Sequence, residues 1–318
     1  MIDWARVAKP QQDGYDSRII AQFLFEKYGW IKKVPLTEFT ICDGNVAVVK
    51  DHSIVTTEQE RAYVKKSKVI DGMSRWNDNY ATQLDPFLRS WNDGHQMLGL
   101  FLDEFWPKFA AFAGDGVRGS KSSTVMGGWS GHYEISNSLL DITNPNNLGP
   151  ITAVYVSINS LQGCAAGIYH EVGHARLEAL GMNIEDHNKL LILNPSDELY
   201  ESPIRRDRKR PMSAVIQAIY SWIMLSENDL QCANIPGNST VSANYLITNL
   251  PKIEDGLQEI IKHVRCTSDG DKFMQGYVDW GYDVVARART LCIQEFGEMF
   301  TRHYDAASAY KVKYPVPL

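Results

Sequence analysis

Residues 151–181 read ITAVYVSINSLQGCAAGIYHEVGHARLEALG, and this stretch decides the fold class. Its first eight residues, Ile151 to Ile158, are rich in β-branched side chains and tyrosine, the composition of a strand. From Leu161 to Leu180 the apolar residues recur at helical spacing, and Gly181 ends the run. Strand followed by helix is thus the local unit, and the neighbouring segments extend it on both sides. Upstream, His132 to Ile142 reads as a second strand, joined to the first by the turn residues TNPNNLGP. Before that, the Gly/Ser-rich stretch Gly114 to Gly128 reads as a loop. The N-terminal third reads as helices, over 15–30 and in two or three pieces over 57–112, with an apolar stripe at Leu98, Phe101, Leu102, Phe105 and Phe109. Downstream, a loop holding Pro195, Pro203 and Pro211 precedes helices near 212–227, 245–264 and 278–309. Helices, a few strands, then helices again make an α+β chain that is mostly helical. We expect an N-terminal helical region, 1–112, and a catalytic region, 113–318, which could also form one continuous domain.

The chain has 318 residues, 44% apolar and 22% charged, which is ordinary for a globular protein and excludes general disorder. The formal net charge of −6 argues against nucleic-acid binding through bulk charge. The opening MIDWARVAKPQQDG places acid and base early and has no apolar core, so no signal peptide is expected there. The longest uncharged apolar stretch, Pro211 to Ser226, is 16 residues and includes Gln217, whereas a membrane span needs roughly 20 apolar residues. Five cysteines, with no CxxC pair, fit neither a disulfide framework nor a zinc ribbon; buried reduced thiols in a cytoplasmic protein are expected.

Residues 170–174 are His-Glu-Val-Gly-His, an HExxH motif. Helix positions i and i+4 differ by about 40° around the axis, so the two imidazoles share a face and can bind one metal ion. Glu171 stands beside them, placed to take a proton from metal-bound water or to orient a ligand. The competing reading is a helix face with two histidines that are solvated or satisfied within the core. An HExxH helix after a β-rich strand gives a zincin-like arrangement beside a small sheet. The third ligand is open. Leu177 and Leu180 stand where a metzincin would have Gly and His, so that pattern is absent. Glu201 is the first choice and Glu198 the second, 27 and 24 residues past His174, although each also reads as a solvated loop carboxylate. Glu178, one turn beyond His174, better suits an outer hydrogen-bond partner.

The second feature is SPIRRDRKRP, residues 202–211, leading into MSAVIQAIYSW. Taken alone, RRDRKR is a solvated basic loop or a nuclear-import-like run. Yet a guanidinium binds carboxylates through two parallel bonds, so an arginine held near Pro203 is a possible carboxylate anchor. HEVGHARLEAL followed by SPIRRDRKRPMSAVIQAIYSW resembles the HExxH-motif peptide-modification proteins of ribosomal natural-product (RiPP) clusters. Ser202, Pro203, Arg205, Arg210, Pro211, Ser213 and Gln217 match their pattern. Ile204 stands in place of Trp, Ala214 and Ala218 in place of Gly, and about one residue is inserted between Arg205 and Arg210. The similarity covers roughly residues 165–225. It implies an Fe(II), 2-oxoglutarate-dependent hydroxylase acting on a side-chain carbon, typically the β-carbon, of a precursor peptide. It further implies that His170 and His174 are metal ligands and that Arg205 clamps the 2-oxoglutarate carboxylate.

Two other readings stand beside it: a zinc metallopeptidase of the zincin type, and a non-catalytic peptide-binding protein. The expected partner is a precursor peptide or an amino acid, with neither nucleic acid nor membrane. Ile151 to Ile158 is expected to offer a free strand edge to a peptide. Trp129, His132 and Tyr133 are expected chiefly to pack the strands, and secondarily to line the pocket.

Overall fold

A computed structural model describes residues 2–11, 161–182, 189–204 and 208–300, together with shorter pieces between 13 and 157. Within the helix at 161–179 the side chains of Cys164, Ile168, Glu171, Val172, Ala175 and Ala179 lie outside the description, as do those of every strand before it. The elements run α1 (Trp4–Val7), β1 (Val48–Lys50), β2 (Ser53–Val55), β3 (Lys108–Phe112), β4 (Gly128–Ser130), β5 (Ala153–Ser157) and α2 (Leu161–Ala179). There follow β6 (Leu199–Tyr200), β7 (Arg210–Pro211), α3 (Met212–Cys232), α4 (Ser239–His263) and α5 (Ser268–Phe296). The chain is α+β and mostly helical, as its pattern implies.

Two compact units form, one from Gln11–Ala175 and the other from Met1–Pro10 with Arg176–Leu318. In the first, β5 is the middle strand of a three-stranded sheet, parallel to β3 and antiparallel to β4. This corrects the expectation of a free edge at 151–158, because both edges of β5 are already paired. A second correction concerns β3, which occupies the end of a stretch expected to be helical. Pro107 immediately precedes it. Proline lacks the N–H of a helical turn and clashes with the turn before it, which disfavours a helix running on through Phe109. The β1–β2 pairing was not expected either. Val48 pairs with Val55 and Lys50 with Ser53. The strand expected at 132–142 lies outside the described residues, as do His132 and Tyr133; Trp129 is on β4.

The second unit is a helical assembly around α3. Every residue from Met212 to Asp229 is buried, so α3 is a central helix and not a surface one. α4 and α5 pack on it and on each other. Both carry one apolar stripe: Leu246, Leu250, Ile253, Leu257 and Ile260 on α4, and Phe273, Tyr277, Trp280, Val284 and Ala288 on α5, all buried. These stripes recur at three and four residues and bury the helices against α3. α1 docks on α5, where a Cβ at Gly276 would collide with the Ala5 carbonyl. The helices start earlier than the periodicity implied, at Ser239 and Ser268. At the latter, the Thr267 side chain caps the helix by accepting from the Gly270 N–H at 3.0 Å.

Candidate metal centre

α2 contains the whole HExxH motif in uninterrupted helix. Its end is defined by two backbone bonds: Met182 N–H donates to the Leu177 carbonyl and Gly181 N–H to the Glu178 carbonyl, each at 2.9 Å. That pair is a Schellman closure, and it requires the left-handed backbone that Gly181 adopts at φ 77°. The helix therefore stops where the glycine stands, about two turns after His174.

His170 and His174 come together as the spacing requires. Their ring centroids are 4.9 Å apart and their planes are nearly perpendicular, at 80°. Both side chains are half-buried. Metal–nitrogen bonds of about 2.0–2.1 Å place two ligand nitrogens roughly 3 Å apart, a separation that rings at this spacing can meet by small rotations about their side-chain bonds. The donor pair thus fits a divalent ion. Glu171 lies on the same helix, with its side chain outside the described residues. Glu178, one turn on from His174, is half-buried.

The carboxylates considered for the third position sit on the stem of the β6–β7 hairpin. Glu198 accepts two bonds from Arg265 Nη2, at 2.8 and 2.7 Å, and a short bond from the Tyr200 hydroxyl. The Arg265 and Tyr200 hydrogen bonds hold its pKa below the usual carboxylate range. Burial, and then the bond to Glu198, push the Tyr200 phenol up. Glu201 is exposed and pairs with Lys209 at 3.2 Å, while its N–H donates to Glu259 Oε1. An exposed Lys–Glu pair of this kind is worth at most about 1 kcal/mol. Among the described residues no group of three His, Cys, Asp or Glu side chains is placed to hold a metal. Arg205 lies outside the described residues, which resume at Arg208. Lys209 is occupied by Glu201, and Arg208 is exposed.

The stem itself is firmly tied. Asn194 Nδ2 donates to Tyr200 Oη at 2.8 Å and to the His263 carbonyl at 2.9 Å, while its Oδ1 accepts the Arg265 N–H at 2.7 Å. Leu193 N–H donates to the Arg265 carbonyl, and Thr267 N–H to the Leu191 carbonyl.

Three buried residues at the end of α2 make polar contacts that their sequence pattern did not reveal. Arg176, two places after His174, is fully buried, and it meets Tyr220 of α3; Gln217 of α3 meets the carbonyl of Met182. An arginine within a helix reads as a solvated face unless its burial is known, so only the structure reveals this set. Among the described cysteines, Cys232 and Cys292 are buried free thiols, and burial pushes Cys292 up to about 12, leaving it inert.

No protein-family model and no curated protein matches this chain. Among the described residues, no helix is long and apolar enough to cross a membrane.

Proposed function

We propose that this chain is a metal-dependent enzyme, an Fe(II), 2-oxoglutarate-dependent hydroxylase acting on a side-chain carbon of a peptide or amino acid. The observation that carries the metal is the histidine pair, held on one helix with ring centroids 4.9 Å apart. The resemblance of residues 165–225 to the peptide-modification proteins supports iron and 2-oxoglutarate as the working pair. Two histidines and one carboxylate leave the remaining positions of an octahedral ion open to a bidentate 2-oxo acid and to dioxygen. In this reading His170 and His174 bind the ion through neutral imidazole, and Glu201 supplies the carboxylate. Glu171 orients a ligand or holds a proton beside the ion. Arg205 grips the far carboxylate of 2-oxoglutarate. When bound, the metal and the 2-oxo acid together supply the oxidising chemistry. The sheet leading into α2, with β5 ending four residues before the helix begins, supports a zincin-like arrangement. The reading places the protein in the cytoplasm with a precursor peptide or amino acid as its substrate.

The same histidine pair is what a zinc peptidase would carry, and one experiment separates the two. Protein prepared without oxygen is loaded with ferrous iron or zinc and given 2-oxoglutarate and peptide substrates. The hydroxylase consumes 2-oxoglutarate, releases succinate and adds about 16 mass units without cutting the chain. Cleavage of unrelated peptides by the zinc-loaded form, with no 2-oxoglutarate turnover, overturns the proposal in favour of the peptidase.

A further inference from the structure

Residues 226–229, near the C-terminal end of α3, read Ser-Glu-Asn-Asp. All four are interior, none more than 6% exposed. Successive helix residues point about 100° apart, so the four side chains leave α3 in four directions. Ser226 points to α4, where its Oγ accepts from Asn249 Nδ2 at 3.5 Å. Glu227 points to α5 and is held there by Arg287 and the Trp280 indole. Asp229 is likewise engaged. Asn228 is the exception. It is fully buried, and neither its Oδ1 nor its Nδ2 has a hydrogen-bond partner among the described residues.

The direction in which Asn228 leaves α3 follows from the contacts of its neighbours. α4 takes Ile219, Trp222 and Ser226, through Gly256, Lys252 and Asn249. α5 takes Tyr220 and Glu227, both through Trp280. Asn228 lies about 160° around the axis from Ser226 and about 100° from Glu227, on the side of α3 given to neither helix. Gln217 and Ser221 share that side, each within about 20° of Asn228, and Met224 and Leu225 flank it. All five are at most 1% exposed. Gln217 donates to the Met182 carbonyl, and Ser221 to the Ala218 carbonyl at 2.9 Å.

Burying an amide without a partner is costly, and native interiors leave few side-chain polar groups in that condition. For packing alone, an apolar side chain of the same shape would serve better. The amide presents a donor and an acceptor side by side, and its two ridge neighbours, Gln217 and Ser221, carry no charge. Turning the amide over exchanges its two ends and changes neither requirement.

We propose that Asn228 is an internal binding site for a small neutral group that both donates and accepts a hydrogen bond and is not part of the polypeptide. Two sources share that chemistry: a structural water, and a small molecule bearing a hydroxyl or an amide. Ser221 stands about 10 Å along the axis from Asn228, with acceptor capacity left on its Oγ. A molecule of that length reaches both residues, whereas a single water at Asn228 does not reach Ser221. Asn228 plays this part whether or not His170 and His174 bind a metal.

The test compares the full chain with its Asn228→Leu variant. Both are crystallised from buffer free of organic additives and weighed by native mass spectrometry. The wild type should show density for a non-protein group at about 2.7–3.2 Å from both Oδ1 and Nδ2 of Asn228, and the variant should lack it. A compact peak with no extra mass identifies water, and Ser221→Ala should leave it in place. An extended feature, with an excess mass that Asn228→Leu lacks, identifies a small molecule, and Ser221→Ala should then lower its occupancy. A group of the chain itself bonded to the amide, or an amide with no polar neighbour at all, overturns the proposal. If Asn228→Leu fails to fold, the wild-type crystal decides by itself.

Discussion

At the scale of single residues, what matters is which polar groups are locked and which are free to act. His170 and His174 are the simplest case. Replacing either with alanine should abolish stoichiometric metal, measured by elemental analysis, while far-ultraviolet circular dichroism stays close to that of the wild type. Full occupancy in both variants would move the site elsewhere. Glu227 is the opposite case, a carboxylate of purely structural consequence. It is 6% exposed, accepts bonds from Arg287 at 2.9 and 2.6 Å, and also accepts from the Trp280 indole at 3.2 Å. Arg287→Ala leaves that carboxylate buried with its main partner gone. Because Arg287 is partly exposed, the cost should fall below that of a fully buried broken pair, at about 2–3 kcal/mol. Lys272→Ala, which removes an exposed pair with Asp269, should change stability by under about 0.5 kcal/mol. Chemical denaturation of the two variants side by side checks the contrast.

At the scale of elements, the β6–β7 hairpin and the end of α2 make separate predictions. Glu198 has its pKa depressed by Arg265 and Tyr200, so the link it makes is complete above the ordinary carboxylate range. The link is lost as pH falls through the depressed value, because protonation removes the charge that Arg265 binds. The protection of the Leu199 and Tyr200 amides, exchange taken relative to its intrinsic rate at each pH, should therefore fall in acid. In Glu198→Gln that protection should already be low at neutral pH, with no acid transition from this site. Gly181→Ala forces a side chain into the left-handed region and should cost about 1 kcal/mol, read from the thermal midpoint.

The elements also show how far the sequence could be read. α2 was legible to within a residue or so at each end, because a periodic apolar face and a terminating glycine are local signals. The His170–His174 face was legible for the same reason. The helix expected through Phe109 was not, because its apolar spacing persists past Pro107 while the proline weakens a helix at that point. The β1–β2 pairing was missed because three-residue strands leave too little alternation to see. Arg176 and Tyr220 were missed because their meaning depends on burial and on each other, across 44 residues of chain. Arg205 and the side chain of Glu171 lie outside the described residues, so their roles rest on pattern alone.

At the scale of the whole molecule, one compact unit is assembled from residues far apart in the chain. α1 contributes Trp4, Val7 and Ala8 to the buried set, and α1 packs on α5 with Ala5 against Gly276. Burying a tryptophan and a valine side chain is worth roughly 3–5 kcal/mol together. Deleting residues 1–10 should therefore lower stability by a few kcal/mol, seen as an earlier denaturant midpoint. Gly276→Leu, which drives a side chain into the α1 backbone, should reproduce much of that loss with the segment still present. A deletion that leaves the midpoint unchanged would remove α1 from the folded core.

The docking of α1 on α5 also has a consequence in time. Ala5 leaves the ribosome 271 residues before Gly276. At a synthesis rate of about 5–20 residues per second, that interval is roughly 15–55 s. Throughout it, Trp4 and Val7 have no α5 to cover them. Helix–coil relaxation takes about a microsecond, so the short helix forms and melts many millions of times while it waits. The segment is made early and seated late, and for that interval it is a hydrophobic handle exposed to whatever chaperone meets the nascent chain.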